Sequence, residues 1–136
     1  MTALLLAQAA ATLALCGLVW FVQVVHYPLF ASVEAEGFPR YEREHQRRTT
    51  RVVAPLMGVE ALAAAGLVLA DPGPATAAGA ALVVALWLST FAVQVPLHRR
   101  LAQGLDARSL ARLVHTNWAR TAMWSARGAL VLWLLA

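Results

Sequence analysis

Charge is scarce in this chain: only 13% of its 136 residues are Asp, Glu, Lys or Arg, against roughly 25% in ordinary soluble domains. Lysine is missing altogether, so all eleven basic residues are arginine. The single cysteine, Cys16, lies in an apolar run. No intrachain disulfide can form, and the thiol is expected to pack as a small hydrophobe. No basic residue precedes the first apolar stretch, which is much longer than the roughly 7–15 residues of a secretory signal core. That stretch is therefore expected to remain as a helix. No HxxxH or HExxH spacing occurs, so no local zinc-protease-like motif is present.

Hydrophobic residues make up 60% of the chain, and its mean hydropathy is +0.63. They gather in four runs, Ala3–Val25, Val52–Ala70, Thr76–Leu97 and Thr116–Ala136. Each can cross about 30 Å of hydrocarbon at about 1.5 Å per residue. The length suits one domain, residues 1–136, and leaves no room for a large water-facing one. The expected fold is all-α, an integral-membrane four-helix bundle. Asp71-Pro72-Gly73-Pro74 makes a tight turn between the second and third runs, while Tyr27–Arg51 and His98–His115 are longer, polar connections.

The arginines are one-sided. Arg40, Arg43, Arg47, Arg48 and Arg51 fall in the first long connection, Arg99, Arg100, Arg108 and Arg112 in the second; Arg120 and Arg127 enter the fourth run from the same side. The positive-inside rule makes this face cytoplasmic and both termini external, in a bacterial plasma (inner) membrane. The net charge of +4 and pI near 10.6 then report topology and anionic lipid headgroups rather than nucleic acid. Parts of both connections read as amphipathic interfacial helices, the first, Phe38–His45, also suited to run on into the second span, and the second opening on Asp106, a suitable N-cap. Small-residue runs, Ala61–Gly66 and Ala75–Ala81, permit close helix packing within a protomer or in a homo-oligomer.

The halves resemble each other. The first run ends Phe21-Val22-Gln23-Val24-Val25-His26-Tyr27-Pro28 and the third Phe91-Ala92-Val93-Gln94-Val95-Pro96-Leu97-His98. Each is followed by a second histidine, His45 or His115, and then by Arg51 or Arg120. Two parallel-related two-helix repeats about an axis along the membrane normal are expected.

All four histidines fall at the cytoplasmic ends of the runs, where neighbouring helices of a bundle bring them together. Two readings compete: His26, His45, His98 and His115 as ligands of copper, iron, zinc or haem, or interfacial imidazoles bonded to the arginine-rich segments. Gln23 with His26, and Gln94 with His98, share helix faces, and Phe91 and Trp87 continue the second stripe. Glu60 lies about 12 Å inside the second run, and Arg127 lies at similar depth in the fourth. An ion pair between them is the economical expectation, either purely structural or the floor of a pocket or proton relay. Asn117, Arg120, Trp124 and Arg127 form one stripe on the fourth helix. Pro28, Pro55 and Pro96 near the cytoplasmic ends can kink the helices and open a cavity.

Val95-Pro96-Leu97-His98-Arg99-Arg100-Leu101, followed by Asn117-Trp118-Ala119-Arg120-Thr121 and Arg127, resembles the small four-helix membrane proteins grouped with anthrone oxygenases; His26-Tyr27-Pro28 and the Tyr41–Arg51 connection look similar too. His98 stands where that family usually has asparagine. The resemblance implies oxidation of a hydrophobic polycyclic phenol by molecular oxygen at the membrane surface.

The leading expectation is thus a membrane oxygenase-like enzyme acting on a lipophilic aromatic or quinol-type substrate. His26, His98 and His115 would act as base or metal ligands, with Arg120, Arg127 and Glu60 completing the catalytic set. Gln23, Trp87, Phe91, Gln94, Asn117 and Trp124 would line the substrate site. The alternatives are a non-enzymatic histidine-ligated metal or haem protein and a structural accessory subunit.

Overall fold

Helix is the only regular secondary structure, laid down in four rods: α1 (Thr2–Ser32), α2 (Phe38–Ala70), α3 (Pro74–Leu101) and α4 (Ala107–Leu135). The structure, a computed structural model, describes residues 1–136. The all-α expectation holds. Three rods, α1, α2 and α3, are long and apolar enough to cross a membrane, with hydropathies of 2.0, 2.1 and 1.9 over their most apolar stretches. α4, with Arg120 and Arg127 inside its most apolar stretch, is not among them despite its 29 residues.

The rods differ from the expected runs mainly in the polar connections. The segment before Val52 is not a separate interfacial helix: α2 begins at Phe38 and runs 33 residues without a break. Pro39 sits in its first turn, where a missing N–H leaves no bond unmade. Glu44 then pairs with Arg47 at 2.8 Å and Arg48 at 3.1 Å, the helical i,i+3 and i,i+4 spacings. Likewise α4 starts at Ala107, not Thr116. The Asp106 carboxylate caps it, accepting from Ser109 N–H at 2.9 Å and Arg108 N–H at 3.2 Å. Hydrogen bonds from Ser109, and then from Arg108, hold the Asp106 carboxyl below its ordinary pKa.

α1 and α3 each contain one widened π-helical turn, Val22–His26 and Thr90–Gln94, in which Tyr27 N–H bonds Val22 C=O and Val95 N–H bonds Thr90 C=O. A proline follows two residues later in both, Pro28 and Pro96. Proline offers no N–H and its ring presses on the carbonyl four residues back. Widening the preceding turn moves that carbonyl away, and such turns re-aim the side chains they carry. The two π turns and prolines recur 68 residues apart. That register is three residues off the Gln23–Gln94 match.

Around the bundle α1 lies against α2 and α4, and α3 against the same two. α1 therefore faces α3 diagonally, and α2 faces α4. Long polar side chains bridge both diagonals. At the connection end Tyr27 of α1 reaches His98 of α3, and deeper in the bundle Glu60 of α2 reaches Arg127 of α4. Two apolar clusters accompany the bridges. Tyr27, Phe30, Phe38, Leu97, Leu101 and Leu113 pack at the connection end, and Leu15, Val19, Met57, Leu86 and Trp124 farther in.

Candidate functional site

The deep bridge is the more tightly enclosed. Neither Glu60 nor Arg127 has any exposed side-chain surface, and Arg127 Nε donates to Glu60 Oε1 at 2.9 Å. Thr12 of α1 donates to the same oxygen at 2.8 Å, and Trp124 Nε1 donates to Oε2 at 3.3 Å. Arg127 Nη1 also donates to the Gly79 carbonyl of α3. A Cβ on residue 79 would lie 3.2 Å from that nitrogen, so glycine lets the guanidinium approach. Every helix thus contributes to the network, and both charges are paired, as burial demands.

The outer bridge is a chain of proton-bearing groups. Glu42 Oε1 lies 2.6 Å from His98 Nδ1, and His98 Nε2 lies 2.9 Å from the Tyr27 hydroxyl. A carboxylate only accepts, so Nδ1 carries the proton and Nε2 accepts from Tyr27. Gln46 Nε2 donates to Glu42 Oε1 at 3.1 Å and to the His98 carbonyl at 3.2 Å, fixing the carboxylate against the end of α3. Alongside, His45 Nδ1 lies 2.9 Å from His26 Nε2 and 3.2 Å from Thr49 Oγ1, and the His45 and His98 rings are 5.3 Å apart.

Between the two bridges lies a cavity of about 240 Å³. Trp124, held by Glu60, lines it at the deep end, and Tyr27, His45 and His98 line it at the other. Most of the wall is apolar, including Leu15, Val19, Val53 and Met57. An apolar cavity of roughly 150 Å³ holds one benzene ring, so this one has room for more than one.

Three residues of the wall each keep a buried polar atom without a partner: Trp87 Nε1, Gln94 Oε1 and Arg120 Nε. Arg120 is 8% exposed and has no carboxylate in ion-pair range, unlike Arg127. Its neutral supports are Asn117 Oδ1, which accepts from Nη1 at 3.0 Å, and the neighbouring Tyr27 hydroxyl, and its guanidinium lies 4.9 Å above the Trp124 ring. A buried cation without a counter-charge is costly. An oxygen of a bound molecule, anionic or strongly polarised, would answer it.

The sequence-derived site residues sort into five places. His45, His98, Arg120, Trp87, Phe91, Gln94 and Trp124 line the cavity. Gln23 and Asn117 do not. They bond to each other at 2.8 Å, and Gln23 also donates to the Val114 carbonyl, behind Arg120, so they orient it rather than meet a ligand. Glu60 and Arg127 form the expected ion pair but lie outside the wall, reaching it through Trp124. His26 touches the site only through His45.

His115 requires a correction. It is exposed and stands apart from the other three histidines, because it is two residues from the fully buried Asn117. Two residues along an α-helix is about 200° of rotation. If Asn117 faces inward, His115 faces outward, and the correspondence between His45 and His115 does not extend to their surroundings. The four-histidine ligand set fails with it. No three His, Cys, Asp or Glu side chains converge as a metal-binding group, and ring nitrogens of the inner three are bonded to one another, to Glu42 and to Tyr27.

Glu42, Tyr27, Gln46 and Thr49 were missed as site residues. Their signal was present, since Glu42, His45, Gln46 and Thr49 recur at helical i, i+3, i+4 and i+7 spacing. Reading the segment as interfacial hid it. Comparison with protein-family models, with curated proteins and with solved structures finds no match to this chain.

Proposed function

We propose that this chain is a four-helix integral membrane protein whose internal cavity binds a lipophilic aromatic or quinol-type substrate and supports its oxidation by molecular oxygen. The membrane part of this reading rests on the outward-facing residues. Leu62, Leu69, Leu88, Phe91 and Trp133 are 76%, 85%, 63%, 60% and 67% exposed. So much open apolar surface, on two helices of spanning length and on α4, suits acyl chains rather than water. The arginine-rich end, where the Glu42–His98–Tyr27 chain lies, would face the cytoplasm of a bacterial plasma membrane.

One observation carries the enzymatic reading. A carboxylate–imidazole–hydroxyl chain ends at the wall of an apolar cavity that also presents a buried arginine with no counter-ion. Base and anion stabiliser on one enclosed space are the parts needed to draw a proton from an acidic C–H or O–H. The substrate's proton passes to the Tyr27 oxygen as the Tyr27 proton passes to His98 Nε2, with Glu42 holding the imidazolium. Negative charge collects on the substrate oxygen, against Arg120. For an activated ring methylene the carbanion then gives its electrons to O₂, forming a C–O bond. Loss of water leaves a ketone, so R₂CH₂ + O₂ gives R₂C=O + H₂O.

The test is oxygen uptake by the full chain in lipid nanodiscs, offered anthrones and quinols in turn. Turnover that vanishes in Tyr27→Phe and Arg120→Gln, with the helical spectrum intact, supports the reading. Uptake indifferent to both substitutions would remove the cavity from the chemistry.

A further inference from the structure

A second recess opens on the outside of the bundle between α2 and α3. It holds about 530 Å³ and is lined by ten residues, all apolar, with Ala61, Ala64 and Ala65 of α2 facing Ala80, Val84 and Leu88 of α3. Alanine on facing helices ordinarily lets two backbones close together. Here a trough remains between them.

Trp87 and Phe91 line both this trough and the inner cavity. They are four residues apart on one face of α3, with ring centroids 5.7 Å apart, and form the shared wall of the two spaces. Polar groups are therefore divided sharply between two adjoining spaces. Arg120, Gln94, Tyr27 and His98 lie on the inner side, and the outer side has no polar lining residue.

We infer that the ligand is a single-tailed amphiphile. Its oxygen-bearing ring occupies the inner cavity against Arg120 and Gln94, and its hydrocarbon chain passes Trp87 and Phe91 to lie in the α2–α3 trough. This rests on the cavity being the substrate site and adds the shape of the substrate: an oxygen-bearing ring system that carries a single alkyl or polyisoprenyl chain. Only hydrocarbon can gain from a wholly apolar trough, and only a head with an acceptor oxygen answers an arginine that lacks a carboxylate.

The experiment uses a matched pair, one quinol carrying a decyl chain and the same quinol carrying a methyl group. Binding to the full chain in nanodiscs is followed by tryptophan fluorescence, with ligand expressed as mole fraction in the bilayer so that partitioning cancels. The decyl compound should bind at least about tenfold more tightly. Val84→Phe and, independently, Ala65→Phe should fill the trough and bring the decyl compound down to the methyl compound's affinity. Both positions face outward, so the larger side chain meets open space rather than core. Equal affinity of the pair, or a tail advantage that survives both substitutions, overturns the inference. If the methyl compound still binds and needs Arg120, the cavity reading stands without the tail. If neither compound binds, both readings fall together.

Discussion

Glu60 and Arg127, 67 residues apart in sequence, meet at 2.9 Å with no exposed side-chain surface on either. The pair crosses the bundle from α2 to α4 and fixes Trp124 at the deep end of the cavity. Removing either partner leaves a buried charge without compensation. Arg127→Met and Glu60→Leu should each destabilise the fold by about 3–5 kcal/mol, and the double substitution by clearly less than their sum. Reversible unfolding in mixed micelles measures this cycle. Additive losses would mean that the two charges are stabilised separately.

The Glu42–His98–Tyr27 chain predicts how activity divides between groups. Tyr27→Phe removes the hydroxyl at the cavity wall that takes the proton in the proposed reaction, and should lower turnover by roughly 10²–10⁴-fold. Glu42→Gln keeps the shape but provides an amide where the imidazole needs an acceptor, and should lower turnover while leaving ligand affinity close to that of the parent. Steady-state kinetics on the active substrate separates the two. A Glu42→Gln protein with full turnover would take the carboxylate out of the relay.

In the proposed reaction Arg120 holds the charge that develops on the substrate oxygen. Arg120→Gln should cost about 10²–10³-fold in turnover, in the range found on removing one oxyanion donor. The loss should exceed the loss in affinity for the neutral substrate. If affinity and turnover fall together by the same factor, Arg120 only binds.

His115 lies on the outer side of α4, away from the other histidines. His115→Ala should change stability by no more than about 0.5 kcal/mol and leave oxygen uptake as it was. Elemental analysis of parent and variant belongs with this test. Stoichiometric metal in the parent that is lost in His115→Ala would restore the histidine ligand set.

Asp106 gives a pH dependence with a definite sign. Its carboxyl is held below the ordinary value of 3.8 by hydrogen bonds from Ser109 and Arg108 at the start of α4. A depressed folded-state value means the cap contributes fully above the unfolded pKa and is lost as pH falls through the folded one. Amide protection factors at the first turn of α4, taken against the intrinsic exchange rate at each pH, should therefore fall on acidification. Asp106→Asn caps without a titrating proton and should show no such change. An identical acid response in the Asn protein would assign it to other groups.

Much of the molecule could be read along the chain. Long apolar runs and the Asp71–Pro74 turn specify the number and rough extent of the helices, because length and hydropathy are local properties. The Glu60–Arg127 pair was legible for a similar reason: a charge deep in an apolar run needs an opposite charge at matching depth, and only one suited it. Asp106 announced the start of α4 by its capping chemistry.

What tertiary structure decided was rotation. A helix turns about 100° per residue, so whether a side chain meets the cavity depends on how each rod is rolled against its neighbours. Two π turns, each coupled to a proline, reset that roll in α1 and α3. They place Tyr27 and His98 together across one diagonal and leave the repeat three residues out of its apparent register. Glu42 became part of the site because Phe38–Arg51 continues α2 upward past the end of α3, instead of lying flat. His115 left the site because Asn117, two residues on, turned inward. Sequence alone determined which polar residues gather at one end of the bundle; packing determined which of them face each other.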